Sequence, residues 1–302
     1  KDIKLIKNLI KNSDQNSIFT NPEFLNLFQF KFEWWVAEKG NEKICLWPVC
    51  INNEKKMIIP DFFYYLGPIW IIKKFKDNIE YRLTLDVYNE FIKNFLKVYK
   101  NIHSQLHFTL SDIRAFDWYN YNSKPRFLIY NKYTALKFNL KRENEKKIVE
   151  NYRYVRRNEL KKFSKIPKIT TTNQIKINYV IELYQKVVGE QNINANTNKI
   201  LYTFDKLINL GKGSYIVVKV GDKIVSVGMI LNEKKTSNLV LNLNENNFKN
   251  KGSNSYLINE VFKYCINNKI YTLDFNGANS PNRADDKHSY GTTSKNFYEI
   301  FL

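Results

Sequence analysis

Residues 214–275 read SYIVVKVGDKIVSVGMILNEKKTSNLVLNLNENNFKNKGSNSYLINEVFKYCINNKIYTLDF, and the order of patterns within them decides the fold. Residues 215–220 alternate apolar and polar positions with β-branched side chains, Gly221-Asp222 supplies a turn, and residues 224–231 supply a second strand, so the stretch opens as a hairpin. A third strand, 239–243, follows a polar turn at 233–237. A polar loop holding Gly252 then leads into 254–266, where Tyr256, Leu257, Val261, Tyr264 and Cys265 fall near helical spacing. The apolar run 270–275 predicts a closing strand. Hairpin, strand, loop, helix and strand in that order predict an α/β unit.

A loop that runs from a strand into a helix presents backbone N–H groups where the positive end of the helix dipole lies. Lys249, Lys251, Gly252, Ser253 and Asn254 occupy that loop, with Gly252 permitting close backbone approach and the lysines adding charge. The loop is either a phosphate seat or a solvated helix start. With its flanking elements the stretch resembles the acetyltransferase (GNAT) superfamily, whose pyrophosphate loop carries Arg or Gln, two residues, Gly, one residue, and Gly or Ala. Here Lys249 stands for the Arg or Gln, Gly252 matches the first small residue, and Asn254 replaces the second. By that resemblance these residues would grip the pyrophosphate of an acyl-CoA donor.

The chain of 302 residues has room for two domains of about 150 residues each. Hydrophobic residues make up 43% and aromatics 15%, enough for folded cores, which excludes a disordered chain. A formal charge of +19 favours phosphate-rich partners such as transfer RNA, coenzyme A, nucleotide-linked sugars or an anionic membrane face, although abundant Lys, Asn and Ile also follow from AT-rich codon usage. Cys45, Cys50 and Cys265 sit in apolar patterns without zinc spacing and read as buried thiols of a reducing compartment. No apolar run approaches the ~18 residues that span a bilayer, and the first ten residues lack a signal-peptide core. The expected location is the cytoplasm, including the inner membrane face.

Outward from the central stretch, residues 3–10 predict a short amphipathic helix, and Pro22 begins a second one capped by Thr20 or Asn21. Residues 33–38 and 43–51 predict a hairpin, 85–100 a helix with an apolar face, 105–110 a strand, and 133–140 another. The first domain is therefore drawn at 1–140 and the second at 141–302. Between them, residues 151–163 have helical spacing that gathers Arg153, Arg156, Arg157 and Lys161 toward one face. Such a face either stays in water or meets anions.

Several pieces in shared order resemble the FemAB-like branch of the same superfamily, in which two acetyltransferase-type units lie side by side. They are Ile18-Phe19-Thr20-Asn21-Pro22-Glu23-Phe24-Leu25, the Tyr65-Leu66-Gly67-Pro68 turn, and residues 125–136 closing the first unit. They continue with the basic helix of Arg153, Arg156, Arg157, Lys161 and Lys162, the run Leu273-Asp274-Phe275-Asn276-Gly277-Ala278, and Lys287-His288-Ser289-Tyr290-Gly291 before the last strand. Asp286, Ser289 and Thr292 depart from the family's Phe, Gly and Gly. The long helical arm of some tRNA-using members has no room between 141 and 168, which speaks against a tRNA donor and for a smaller one. The resemblance implies tandem GNAT-like units, each a mixed, mostly antiparallel sheet flanked by helices.

It also implies an N-acyltransferase that moves an acyl group from acyl-CoA or a similar carrier to an amine of a sugar, lipid or cell-envelope precursor. Asp274 would orient or deprotonate the amine, Lys287 would hold acceptor phosphate or stabilise the oxyanion, and Tyr290 would donate a proton. Arg153, Arg156, Arg157, Asn276 and Arg283 would bind substrate. Each has a plainer role: Asp274 caps its loop, Tyr290 fills core, Lys287 is one surface lysine, and Arg283 and Asp285 order the loop they share. No Ser-His-Asp or Cys-His pairing is visible, which favours direct transfer. His103 and His107 lack a third ligand, so no metal site is expected. Aminoacyl-tRNA-dependent transfer, and a non-catalytic protein docking RNA or membrane on a degenerate GNAT fold, stand as alternatives. The oligomeric state is open.

Overall fold

A computed structural model describes residues 2–71, 77–189 and 195–302. The chain divides into two compact units, Lys1–Lys132 with Asn296–Leu302, and Tyr133–Lys295. The boundary thus falls after residue 132 and residues 296–302 count with the first unit, whereas the sequence reading draws the boundary after 140 and places all of 141–302 in the second.

The first unit opens with α1 (Ile3–Ile10), capped by Asp2, and α2 (Pro22–Leu25), where the Asn21 side chain accepts from the backbone of Glu23 and Phe24 and Pro22 sits at the first turn. The hairpin of β1 (Lys31–Lys39) and β2 (Glu42–Ile51) continues through β3 (Met57–Ile58), and β4 (Ile69–Trp70) pairs back on β2. The apolar face of α3 (Asp77–Val98) packs Phe91 and Phe95 edge-on to Trp47 of β2, at 5.3 and 5.1 Å between ring centres. In place of the strand expected over 105–110, β5 is only His103–Gln105. The chain turns at His107, whose ring bonds the Thr109 hydroxyl at 2.8 Å and whose carbonyl takes the Leu110 amide. The short α4 (Arg114–Asp117) follows.

The strand β6 (Leu128–Lys137) carries the chain into the second unit. There α5 (Glu145–Glu150), α6 (Tyr154–Phe163), β7 (Ile169–Thr172), α7 (Ile177–Val188) and α8 (Ala195–Asn209) precede the central stretch. That stretch forms β8 (Gly213–Val220), β9 (Lys223–Glu233), β10 (Thr236–Asn244), the single turn α9 (Asn246–Lys249), α10 (Ser253–Asn267) and β11 (Thr272–Asp274). Then come α11 (Pro281–His288) and β12 (Thr293–Phe301), whose end pairs with β5 in the first unit. Strand order in the second unit is β6, β11, β10, β9, β8, β7, antiparallel in each described pair except β10 with β11. The parallel pair needs a crossover, and α10 supplies it, burying Leu257, Ile258, Val261, Phe262 and Cys265. All three cysteines are free and buried. Among the described residues no helix is long and apolar enough to cross a membrane, and no group of three or more His, Cys, Asp and Glu side chains is placed to hold a metal.

Candidate functional site

Two neighbouring strands of the central stretch come apart. The β10–β11 ladder holds only Thr236 with Thr272, Ser237 with Leu273, and Asn238 with Asp274. On its other side β10 stays paired with β9 as far as Asn244, with an extra residue at Val240 that bends the strand. After Asp274 the chain leaves β10 and follows β6, the Phe275 amide donating to Ala135 O and the Ala278 amide to Tyr133 O. Among the described residues, no strand therefore pairs with 239–244 on the side away from β9, which leaves a free backbone edge. One carbonyl there is satisfied from a side chain, Asn276 Nδ2 donating to Leu239 O at 3.1 Å. Asn238 Nδ2 and Asn276 Oδ1 are buried with no partner among the described residues. Unpaired buried polar atoms are costly, and they mark places where a ligand or water completes the structure.

Asp274 ends β11 at 1% exposure. Its Oδ1 accepts the Thr134 hydroxyl at 2.5 Å and the Asn276 amide at 2.7 Å, the second bond holding Asn276 at a left-handed φ of 52°. Lys287 reaches the same loop from α11, and its ammonium donates to the carbonyls of Phe275 at 2.8 Å, Gly277 at 2.6 Å and Asn276. Burial pulls the Lys287 ammonium down to about 8, against the nearby Asp274 charge, which raises it. A lysine that spends its donors on three consecutive residues of one loop is a clamp, and that is neither the oxyanion donor nor the surface lysine of the sequence reading. The segment at 281–288, read as a loop, is the helix α11, started by Pro281 in its first turn.

Arg153, just before α6, and Arg156 and Arg157 on it take separate roles. Arg156 is half-buried and donates to Ser289 Oγ at 2.7 Å, Asp286 Oδ1 at 2.7 Å and Glu159 Oε2 at 2.8 Å, with its guanidinium 5.3 Å from the centre of the Tyr290 ring. Burial opposes its charge, yet the Tyr290 hydroxyl, Glu159 and Asp286 outweigh burial and hold it above the ordinary range. Arg157 donates to the carbonyls of Glu150 and Tyr152, and Arg153 pairs with Asp285. Arg283 is exposed on α11 with no polar partner among the described residues. Tyr290 is fully buried, 5.3 Å edge-on to Tyr152, with its hydroxyl 3.1 Å from both Asn254 Nδ2 and Ser255 Oγ. Burial raises its phenol far above the ordinary range, so it packs and bonds as a neutral group.

The start of α10 faces α6. Gly252 has φ of 93°, and a Cβ there would lie 2.5 Å from the Glu159 carbonyl oxygen, so this glycine makes room for a helix of the same protein. The Glu159 carboxylate accepts from Ser255 Oγ at 2.5 Å, in the first turn of α10. Asn254 is tied by its Oδ1 to Asn242 and Asn244, while Ser253 Oγ donates to Asn244 Oδ1. Lys249 and Lys251 are exposed; Lys251 lies 4.8 Å from the Phe248 ring centre.

Three solved structures are similar to this one over nearly all of both chains. They are FemX (TM-score 0.69, 11% identity, covering 99% of this chain and 96% of that one), and the C-terminal domain of an Agrobacterium fabrum protein described as a putative lysylphosphatidylglycerol synthetase (0.58, 10%, 99% and 90%). The third is a tandem GNAT protein from the clavulanic acid biosynthesis pathway (0.57, 7%, 99% and 93%). This chain has a tandem GNAT fold. No family model and no curated protein matches the sequence itself.

In a GNAT fold the helix after the parted strand is where the sequence reading seats the pyrophosphate of coenzyme A. Here the residues do not fit it. A carboxylate, Glu159, holds the first turn of α10, the α6 backbone closes on Gly252, and Asn254 and Ser253 are spent on asparagines of β10. Of the five residues assigned to that grip, only the two lysines have side chains without a hydrogen bond among the described residues, and they lie before the helix. Thr134, Asn238, Glu159 and Ser255 build the site without standing out in the sequence. Asp286 and Ser289, noted only as departures from a family pattern, are both partners of Arg156. No spacing rule joins Arg156 to residues 130 and 133 positions away.

Proposed function

We propose that the chain transfers an aminoacyl group from an aminoacyl ester of RNA to an amine, with the reacting carbonyl on the free edge of β10 and the amine beside Asp274. The observation that carries this reading is the parting of β10 from β11 after Asn238 and Asp274. Backbone N–H groups on such an edge are fixed donors for a carbonyl oxygen that gains negative charge as the amine attacks. The amine nitrogen bonds to the carbonyl carbon, the ester C–O bond breaks, and the amine's surplus proton leaves through the Asp274 carboxylate to the departing hydroxyl oxygen. Thr134 and the Asn276 amide hold that carboxylate in place. Lys287 keeps the 275–277 loop closed over it.

An RNA ester is favoured over acyl-CoA because the Glu159 carboxylate sits against the first turn of α10 and repels a pyrophosphate, while an RNA donor needs no pyrophosphate seat there. The acceptor is an amino group of a sugar, lipid or envelope precursor. The name of the lysylphosphatidylglycerol synthetase describes a lysyl group joined to a lipid, in keeping with aminoacyl transfer on this fold. The test is incubation of the full chain with charged tRNA or acetyl-CoA and a panel of amine acceptors. Amino acid should move from tRNA, and Asp274→Asn should slow transfer by about 10²–10⁴-fold while leaving the circular dichroism unchanged. Transfer from acetyl-CoA alone would overturn the donor, and full activity of the Asp274→Asn variant would overturn the site.

A further inference from the structure

On and around α5 and α6 lie lysines that take no part in the Arg156 network. Lys146, Lys161, Lys162, Lys165 and Lys168 are exposed, and none of their ammonium groups has a hydrogen bond or ion pair among the described residues. Arg157 and Lys161 are four apart on α6, a spacing that sets neighbouring side chains about 5–6 Å apart, and Lys165 follows in the turn just past the helix end. With Lys146 they line a groove of about 1110 Å³ between α5 and α6, floored by Val149 and Leu160. Two acids share the groove. Glu145 is engaged by Lys263 and Asn259, and Glu150 is exposed. Tyr154, at the first turn of α6, is 69% exposed.

We infer that this lysine-lined groove of α5 and α6 is a docking surface for RNA. The unpaired ammonium groups of Lys146, Lys161 and Lys165 along one groove suit a chain of phosphates, and the exposed Tyr154 on the same helix suits stacking on an unpaired base. Tyr154 and Val155 are both exposed at the start of α6, so a membrane surface is the competing occupant, and the vesicle arm of the test separates the two. The inference rests on the RNA-ester reading above and gives that donor a place to dock. It also moves the contact from the arginines, which are bound within the fold, to the lysines.

The test is binding of the full chain to deacylated bulk tRNA across a salt series, read by fluorescence anisotropy. The double variant Lys161→Ala, Lys165→Ala should bind about tenfold more weakly near physiological salt and lower the slope of log affinity against log salt by about 1–2. A control that removes two exposed lysines elsewhere in the unit, Lys206→Ala with Lys269→Ala, should leave both readings unchanged. Equal loss in the control, an unchanged double variant, or binding to phosphatidylglycerol vesicles without binding to tRNA would each overturn the surface. Transfer from charged tRNA with no effect of the lysine pair would sink the groove and spare the transferase. Groove-dependent binding without transfer would do the reverse.

Discussion

Replacing Arg156 by Met separates an arginine that builds the fold from one that holds a substrate. Its guanidinium lies between Glu159 and Asp286, at 2.8 and 2.7 Å, with side-chain exposures of 19% for Arg156, 26% for Glu159 and 34% for Asp286. Removing one member of a buried pair typically costs ~3–5 kcal/mol, because the partner charge stays behind. The solvent that still reaches these groups reduces this to about 2–3 kcal/mol. For a domain of this size each kcal/mol moves the midpoint by ~2–4 °C, so thermal unfolding of the variant should fall by about 5–10 °C. The loss should also depend on pH. Burial already raises the Asp286 carboxyl above its ordinary value, and Arg156 is the main group pulling it down. Without Arg156 the folded state holds a proton there that the unfolded chain releases, so acidifying from pH 7 toward 5 should recover part of the stability in the variant more than in the parent. Differential scanning fluorimetry across that range is the assay. An unshifted midpoint together with lost substrate binding would refute the structural role of Arg156.

Two further outcomes follow from the same region. Gly252→Ala forces a Cβ to 2.5 Å from the Glu159 carbonyl at a φ of 93°, and should cost about 2–4 kcal/mol in denaturant titration, against about 1 kcal/mol at Gly40, where φ is 60° but nothing obstructs the Cβ. Lys287 titrates near 8 in the folded chain against 10.5 when exposed, so the unfolded chain holds the extra proton between those values and stability should rise with pH across that window. That rise, up to about 3 kcal/mol, should be absent in Lys287→Met.

The stretch at 214–275 was legible because each of its elements is local: β-branched alternation, turns at Gly221-Asp222 and 233–237, and helical spacing from Tyr256 to Cys265 all act within a few residues. The strand expected at 105–110 fell short because its apolar pattern is taken up in a turn around His107, where side chain and backbone bond locally. The segment at 281–288 is polar throughout, so its helix shows no apolar period, and the Pro281 start was the only signal. The site was less legible. Gly252 in a polar loop before a helix suggests a phosphate seat, but whether a glycine admits a ligand or a neighbouring helix depends on where α6 packs. Likewise the arginine spacing put cations on one helix without showing which would be neutralised by Asp286, Ser289 and Glu159 from elsewhere in the chain.

Hydrogen exchange of the amides at 239–244, followed by mass spectrometry with and without a non-hydrolysable aminoacyl-RNA, tests the free edge of β10 most directly. Exchange in that segment should slow when the analogue binds, since its carbonyl occupies the N–H groups that no strand pairs. Tight binding of the analogue with unchanged exchange at 239–244 would contradict the assignment.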